Sequence, residues 1–181
     1  MTLEHTPLND CYILTPNIFG DERGAFFESF NKQQFYAATG LDVDFVQDNQ
    51  SISQKGVLRG LHFQNGEFAQ AKLVRVIKGS VLDVVVDIRP NSQTFGKHFS
   101  MILSEQNNKQ LFIPKGFAHG FLVLEDDTIF AYKCDNYYNK ASESGIIYND
   151  KTLNIDWQFP EKGLIISEKD QILPTFETLF K

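Results

Sequence analysis

From Phe45 onward the chain is dominated by runs in which apolar and polar residues alternate, the period of a half-buried strand. The clearest is KLVRVIKGSVLDVVVDIR, residues 72–89, where two β-branched runs meet at Lys78-Gly79. That pattern predicts a hairpin with a tight glycine turn. Lys72, Val74 and Val76 share a face of the first arm, and Leu82, Val84 and Val86 share a face of the second. Lys72 therefore points with apolar neighbours towards an interior. KQLFIPKGFAHGFLVLEDDTIFAYKC, residues 109–134, repeats the hairpin pattern, with Glu125 to Asp127 marking the turn. His119, Phe121 and Val123 fall on one face, and Phe130 and Tyr132 on another. Earlier, NIFGDERGAFFESF places a turn at Gly20 to Gly24 between aromatics. NKQQFYAATG then reads as one short helix, with Asn31 as N-cap and Gly40 as its stop.

Many short strands, one helix and no alternation of strand with helix predict a mainly β chain, an antiparallel double-sheet barrel of the jelly-roll kind. Such a barrel offers a pocket at its mouth. Composition agrees: 17 phenylalanines suit a pleated surface, and 181 residues, 42% hydrophobic and 22% charged, predict a single domain over 1–181. A net charge of −6 argues against a nucleic-acid surface, so an anionic ligand would be held by a few basic residues in a cleft. MTLEHTPLND lacks a basic segment leading into an apolar one, and no apolar run approaches the roughly 20 residues of a membrane span. Cys11 and Cys134 stand far apart with no zinc-type spacing. Free thiols, no membrane and a cytoplasmic setting are the expectation.

VLRGLHFQ, residues 57–64, raises the sharpest question, because it sets Arg59 and His62 around Gly60 inside an apolar run. A guanidinium there must meet an anion or water. PKGFAH matches the PxGxxH element of cupin barrels and delivers His119 from a turn shaped by Pro114 and Gly116. Metal-binding cupins add His-x-His and a Glu. Here the corresponding stretch is HFQNGE, with Gln64 in place of the second histidine, so His62, His119 and Glu67 would make only a makeshift triad and no metal is expected. Taken singly, His62 reads as a core histidine, Lys72 as a rim residue, Tyr132 as core and Asp170 as a solvated turn residue.

Their co-occurrence with further motifs changes that. DERGAFFESF, FVQDNQSIS, VLRGLHFQ, QAKLVRVIKGSVLDVVVDIR, SQTFGKH, QLFIPKGFAHGF, AYKCDNYY, ESGIIYND and ISEKD run almost end to end. The chain resembles the dTDP-4-dehydrorhamnose 3,5-epimerase family, cupin-fold enzymes of dTDP-L-rhamnose synthesis. NGEFA, before Gln70, departs from the proline-containing loop common there.

The resemblance implies a dTDP-linked 4-keto-6-deoxy sugar as substrate, with hydrogens on carbons 3 and 5 acidified by the ketone, and no cofactor. It implies His62 as base, Asp170 as the group orienting it, Lys72 beside the carbonyl-4 oxygen and Tyr132 as acid on the opposite face. Arg59 becomes a diphosphate ligand, and Arg23 and Lys169 further anion-binding positions. Glu28, Gln47, Asp48, Asn49 and Glu143 become polar contacts, His119 a sugar contact and Asp83 a supporting group. Phe26 or Tyr138 would stack on the base. A homodimer is implied, with Arg23 and Glu28 acting on the partner's site. A single-centre epimerase, a 3,4-ketoisomerase and a non-catalytic sugar-binding cupin stay open as alternatives.

Overall fold

The computed structural model describes residues 1–180. Four short strands open the chain, β1 (Thr2–His5), β2 (Tyr12–Thr15), β3 (Phe19–Asp21) and β4 (Gly24–Phe26), followed by helix α1 (Lys32–Thr39). The body is β5 (Gln47–Ser53), β6 (Val57–Gln64), β7 (Lys72–Lys78), β8 (Ser80–Asp87), β9 (His98–Ser104), β10 (Gln110–Ile113), β11 (Phe117–Val123) and β12 (Thr128–Cys134). After Cys134, among the described residues, only β13 (Glu143–Gly145), β14 (Ile165–Ile166), α2 (Glu168–Gln171) and α3 (Phe176–Phe180) are regular apart from 3-10 turns, so the strand-rich pattern stops earlier than expected.

Two sheets face each other, in the orders β1-β2-β10-β7-β12-β5 and β13-β6-β11-β8-β9, with β14 added parallel to β6. This is the mainly β, antiparallel jelly-roll architecture that the alternation predicts. The interior between the sheets holds Val74, Val76, Val81, Val85, Phe121 and Phe130. Leu82, Val84 and Val86 point the other way, into a second cluster closed by Trp157 and Phe176 from the C-terminal segment. Helix α1 covers the outer face of the first sheet through Phe35, which packs with Leu73 and Phe112. Its ends are as expected: Asn31 accepts from Gln34 N–H, and Gly40, left-handed at φ 72°, donates to Tyr36 O.

Both predicted hairpins are corrected. β7 pairs with β10 and β12, whereas β8 pairs with β9 and β11, so the turn at Gly79 carries the chain from one sheet to the other. The turn at Glu125 to Asp127 does the same between β11 and β12. Alternation fixes which residues share a face but not which strand lies alongside, and β8 is buried along its whole length, as a strand packed on both faces must be. At Gly79 a side chain would sit 2.3 Å from Thr128 Oγ1, and φ is 78°, so the crossing requires glycine. The turn between Gly20 and Gly24 is a hairpin, β3 against β4. Cys11 and Cys134 are buried free thiols.

Candidate active site

The barrel mouth opens into a cavity of about 680 Å³ whose wall includes Arg59, His62, Lys72, His119, Tyr132, Lys169 and Asp170. A smaller lobe of about 160 Å³ is lined by Gln47, Gln70, Tyr138 and Glu143. The two share a wall of Asn49, His62, Lys72 and Tyr132. His62 and His119 are direct cross-strand partners on β6 and β11. Gly60 makes that approach possible: a side chain there would meet Gly120 Cα and His119 O at 2.6 Å, and φ is 111°.

Each histidine has its own carboxylate. His62 Nε2 lies 2.7 Å from Asp170 Oδ1, and Asp170 Oδ2 accepts from Gly60 N–H at 3.2 Å. Ser167 caps α2 by accepting from Asp170 N–H at 3.1 Å, which fixes the carboxylate beneath the ring. Burial pushes the Asp170 carboxyl up, but the hydrogen bonds and charge of His62, with Gly60 and Ser167, outweigh it and hold it below its ordinary value. An ionised carboxylate only accepts, so His62 Nε2 carries the hydrogen and Nδ1 is the basic nitrogen. His119 Nε2 lies 2.9 Å from Asp83 Oδ2, within hydrogen-bond distance. Asp83 lies behind His119, and its Oδ1 has no hydrogen-bond partner among the described residues.

Across the barrel, β7 and β12 of the first sheet present Lys72 and Tyr132. The Lys72 Nζ sits 5.9 Å from the Tyr132 ring centre. Burial pushes the Lys72 ammonium down, offset in part by Cys134, Asp83 and Glu143. Burial pushes the Tyr132 phenol up, with Cys134 and Glu143 adding to it against Arg59, so it stays protonated at neutral pH. Arg59, exposed on the wall, donates to Ser53 Oγ at 3.3 Å and makes no ion pair among the described residues. Lys169 pairs with Glu143 at 2.6 Å, and the Tyr138 hydroxyl donates to the same Glu143 oxygen at 2.8 Å. Burial raises the Glu143 carboxyl, yet Lys169, Tyr138 and His62 hold it below its ordinary value.

Several predicted residues stand elsewhere. Asp48 alternates to the opposite face of β5 from Gln47 and Asn49 and pairs with Lys133 at 2.9 Å, because three successive strand residues cannot share a face. Arg23 pairs with Asp21, Glu28 holds Asn31 and Gln34, and Phe26 is 69% exposed, so the segment from β3 to Glu28 is outside this chain's own cavity. Asp170 is buried at 4% exposure, not a solvated turn residue. Ser51 went unnoticed: its hydroxyl is buried on the wall without a partner among the described residues. The alternation of β5, Gln47, Asn49, Ser51, Ser53, was the available signal. The makeshift metal triad does not form. The Gln64 amide is taken by backbone groups, Glu67 is exposed, and no metal-holding group of three such side chains exists among the described residues.

Fold and cavity together define a cupin-type barrel whose mouth carries an imidazole–carboxylate pair on one sheet and an ammonium and a phenol on the other. Residues 5–178 match the family model for dTDP-4-dehydrorhamnose 3,5-epimerase, and the chain belongs to that family. It is 54% identical over 181 residues to the Escherichia coli dTDP-4-dehydrorhamnose 3,5-epimerase, spanning 100% of this chain and 97% of that one. The crystal structure of the Elizabethkingia anophelis dTDP-4-dehydrorhamnose 3,5-epimerase superposes with a TM-score of 0.96 at 54% identity, covering 100% of this chain and 99% of that one. The Legionella pneumophila dTDP-6-deoxy-D-glucose-3,5-epimerase, solved in complex with dTDP-4-keto-L-rhamnose, gives 0.93 at 48% identity over 97% and 93% of the two chains.

Proposed function

We propose that this protein inverts carbons 3 and 5 of dTDP-4-keto-6-deoxy-D-glucose to give dTDP-4-keto-L-rhamnose, the isomerase step of dTDP-L-rhamnose synthesis. The observation that carries the reading is the placement of His62 and Tyr132 on opposite sheets across one cavity, with Lys72 beside them. Inversion needs a proton removed from one face of the sugar and another delivered to the other. His62 Nδ1 takes the hydrogen next to the ketone, with Asp170 fixing the tautomer. The electron pair moves onto the carbonyl-4 oxygen, where the Lys72 ammonium stabilises the enolate. Tyr132 returns a proton from the far face, and exchange with solvent resets both groups. No electron is gained or lost, so the chemistry calls for no redox cofactor.

Arg59 and Lys169 hold the diphosphate, Gln47, Asn49, Glu143 and Tyr138 the nucleoside, and His119 the sugar. The chain works as one domain over residues 1–181 and as a homodimer in the cytoplasm. Support for the dimer lies in the β3–β4 hairpin, whose Phe19 and Phe26 are 66% and 69% exposed, and in Ile52 and Ile77, exposed on the outer face of the first sheet. In the dimer Arg23, Phe26 and Glu28 reach the partner's cavity. No helix among the described residues is long and apolar enough to cross a membrane. The test is product NMR after incubation with the keto sugar in deuterated water. Inversion with deuterium at both carbons supports the reading. Label at one carbon indicates a single-centre epimerase, migration of the ketone a 3,4-ketoisomerase, and binding without exchange a non-catalytic cupin.

A further inference from the structure

Gln64 lies two residues beyond His62 on β6, and the proton chemistry makes no use of it. Its side chain is nonetheless engaged at every hydrogen-bonding group. Nε2 donates to Phe68 O at 2.8 Å and to Tyr137 O at 3.2 Å, and Oε1 accepts from Asn139 N–H at 2.6 Å. Both amide hydrogens and the oxygen are thus committed to backbone groups. Two of the three partners flank Tyr138, in the irregular stretch between β12 and the 3-10 turn at Lys140–Ser142. Tyr138 itself is exposed, with its N–H donating to Gln47 Oε1 at 3.0 Å and its hydroxyl to Glu143. Glu143 is the direct cross-strand partner of Gln64. A surface stretch without ladder bonds of its own keeps its place only through such anchors.

We propose that Gln64 is a positioning residue that clamps the Tyr137–Asn139 backbone to β6, holds Tyr138, and through the Tyr138 hydroxyl Glu143, at the smaller lobe, and so sets nucleotide affinity without entering proton transfer. The inference rests on the nucleotide-sugar reading above. Gln64→Glu keeps shape and acceptor but turns two donated hydrogen bonds into oxygen–oxygen repulsions. Gln64→Met removes the polar groups without repulsion and serves if the first variant fails to fold. For either, the Kd for dTDP by calorimetry and the KM for the keto sugar should rise about tenfold, the scale of one lost hydrogen bond, with kcat within about twofold. In a Tyr138→Ala background the same change should add less than about twofold, because its route of action is gone. A Kd unaltered in both variants, a fall in kcat at constant KM, or penalties that multiply in the double variant would overturn the proposal. Wild-type protein that binds no dTDP overturns the nucleotide reading and this inference together; normal wild-type binding with any of those three results overturns this inference alone.

Discussion

His62 and His119 face each other across β6 and β11, each with a carboxylate at hydrogen-bond distance, yet the two pairs differ in what surrounds them. The His62 ring is 30% exposed at the cavity, and its carboxylate comes from a four-residue helix near the end of the chain. The His119 ring is 6% exposed, and its carboxylate comes from the middle of β8, fully buried. One pair leaves its ring open to the cavity. The other is enclosed by strands, stacked against Phe130 with ring centres 6.1 Å apart, and holds a ring still. We propose that the same local chemistry serves proton transfer at one position and holds a ring still against the sugar at the other, and that access decides which.

The largest effect expected from breaking this contrast is at His62. His62→Ala should lower turnover by about 10⁴-fold, the upper range for a general base, while calorimetry shows dTDP binding retained. Tyr132→Phe comes next, with turnover reduced on the order of 10²-fold and deuterium washing into the substrate faster than inverted product forms. Asp83→Ala should act on stability instead. Removing the buried partner of His119 should cost about 3 kcal/mol in urea unfolding, and kcat should change far less than in Asp170→Asn.

The smallest effect is a pH dependence. Asp170 has its folded pKa held below the unfolded value, so its contribution to stability is present above about pH 4 and is lost as pH falls through the lower folded value. Wild-type and Asp170→Asn unfolding midpoints should differ at pH 7 and converge in acid. A constant gap down to pH 2 would mean that the carboxylate's ionisation contributes nothing to the pair.

Much of this contrast was legible in residue order. The alternation placed Lys72 with Val74 and Val76, and His119 with Phe121, on faces that do turn inward. The caps at Asn31 and Gly40 marked α1. Strand partners were not legible, because β7 and β8 read as a hairpin to any local rule while β10, β11 and β12 compete for their edges from far along the chain. Asp170 escaped for a related reason: its burial depends on Ser167 capping a short helix and on Gly60 N–H, 110 residues earlier. The family motifs recovered Asp170 where local pattern did not, and they also drew Asp48 towards a cavity from which strand period turns it away.

The most direct measurement is solvent deuterium uptake at carbons 3 and 5 of dTDP-4-keto-6-deoxy-D-glucose, followed in parallel for wild type, Asp170→Asn and Asp83→Asn at equal folded concentration. Rapid uptake by wild type, uptake slowed on the order of 10²-fold or more by Asp170→Asn, and uptake near wild type for Asp83→Asn is the expected result. Equal losses in the two variants, or a greater loss from Asp83→Asn, would contradict the division of labour between the two histidines.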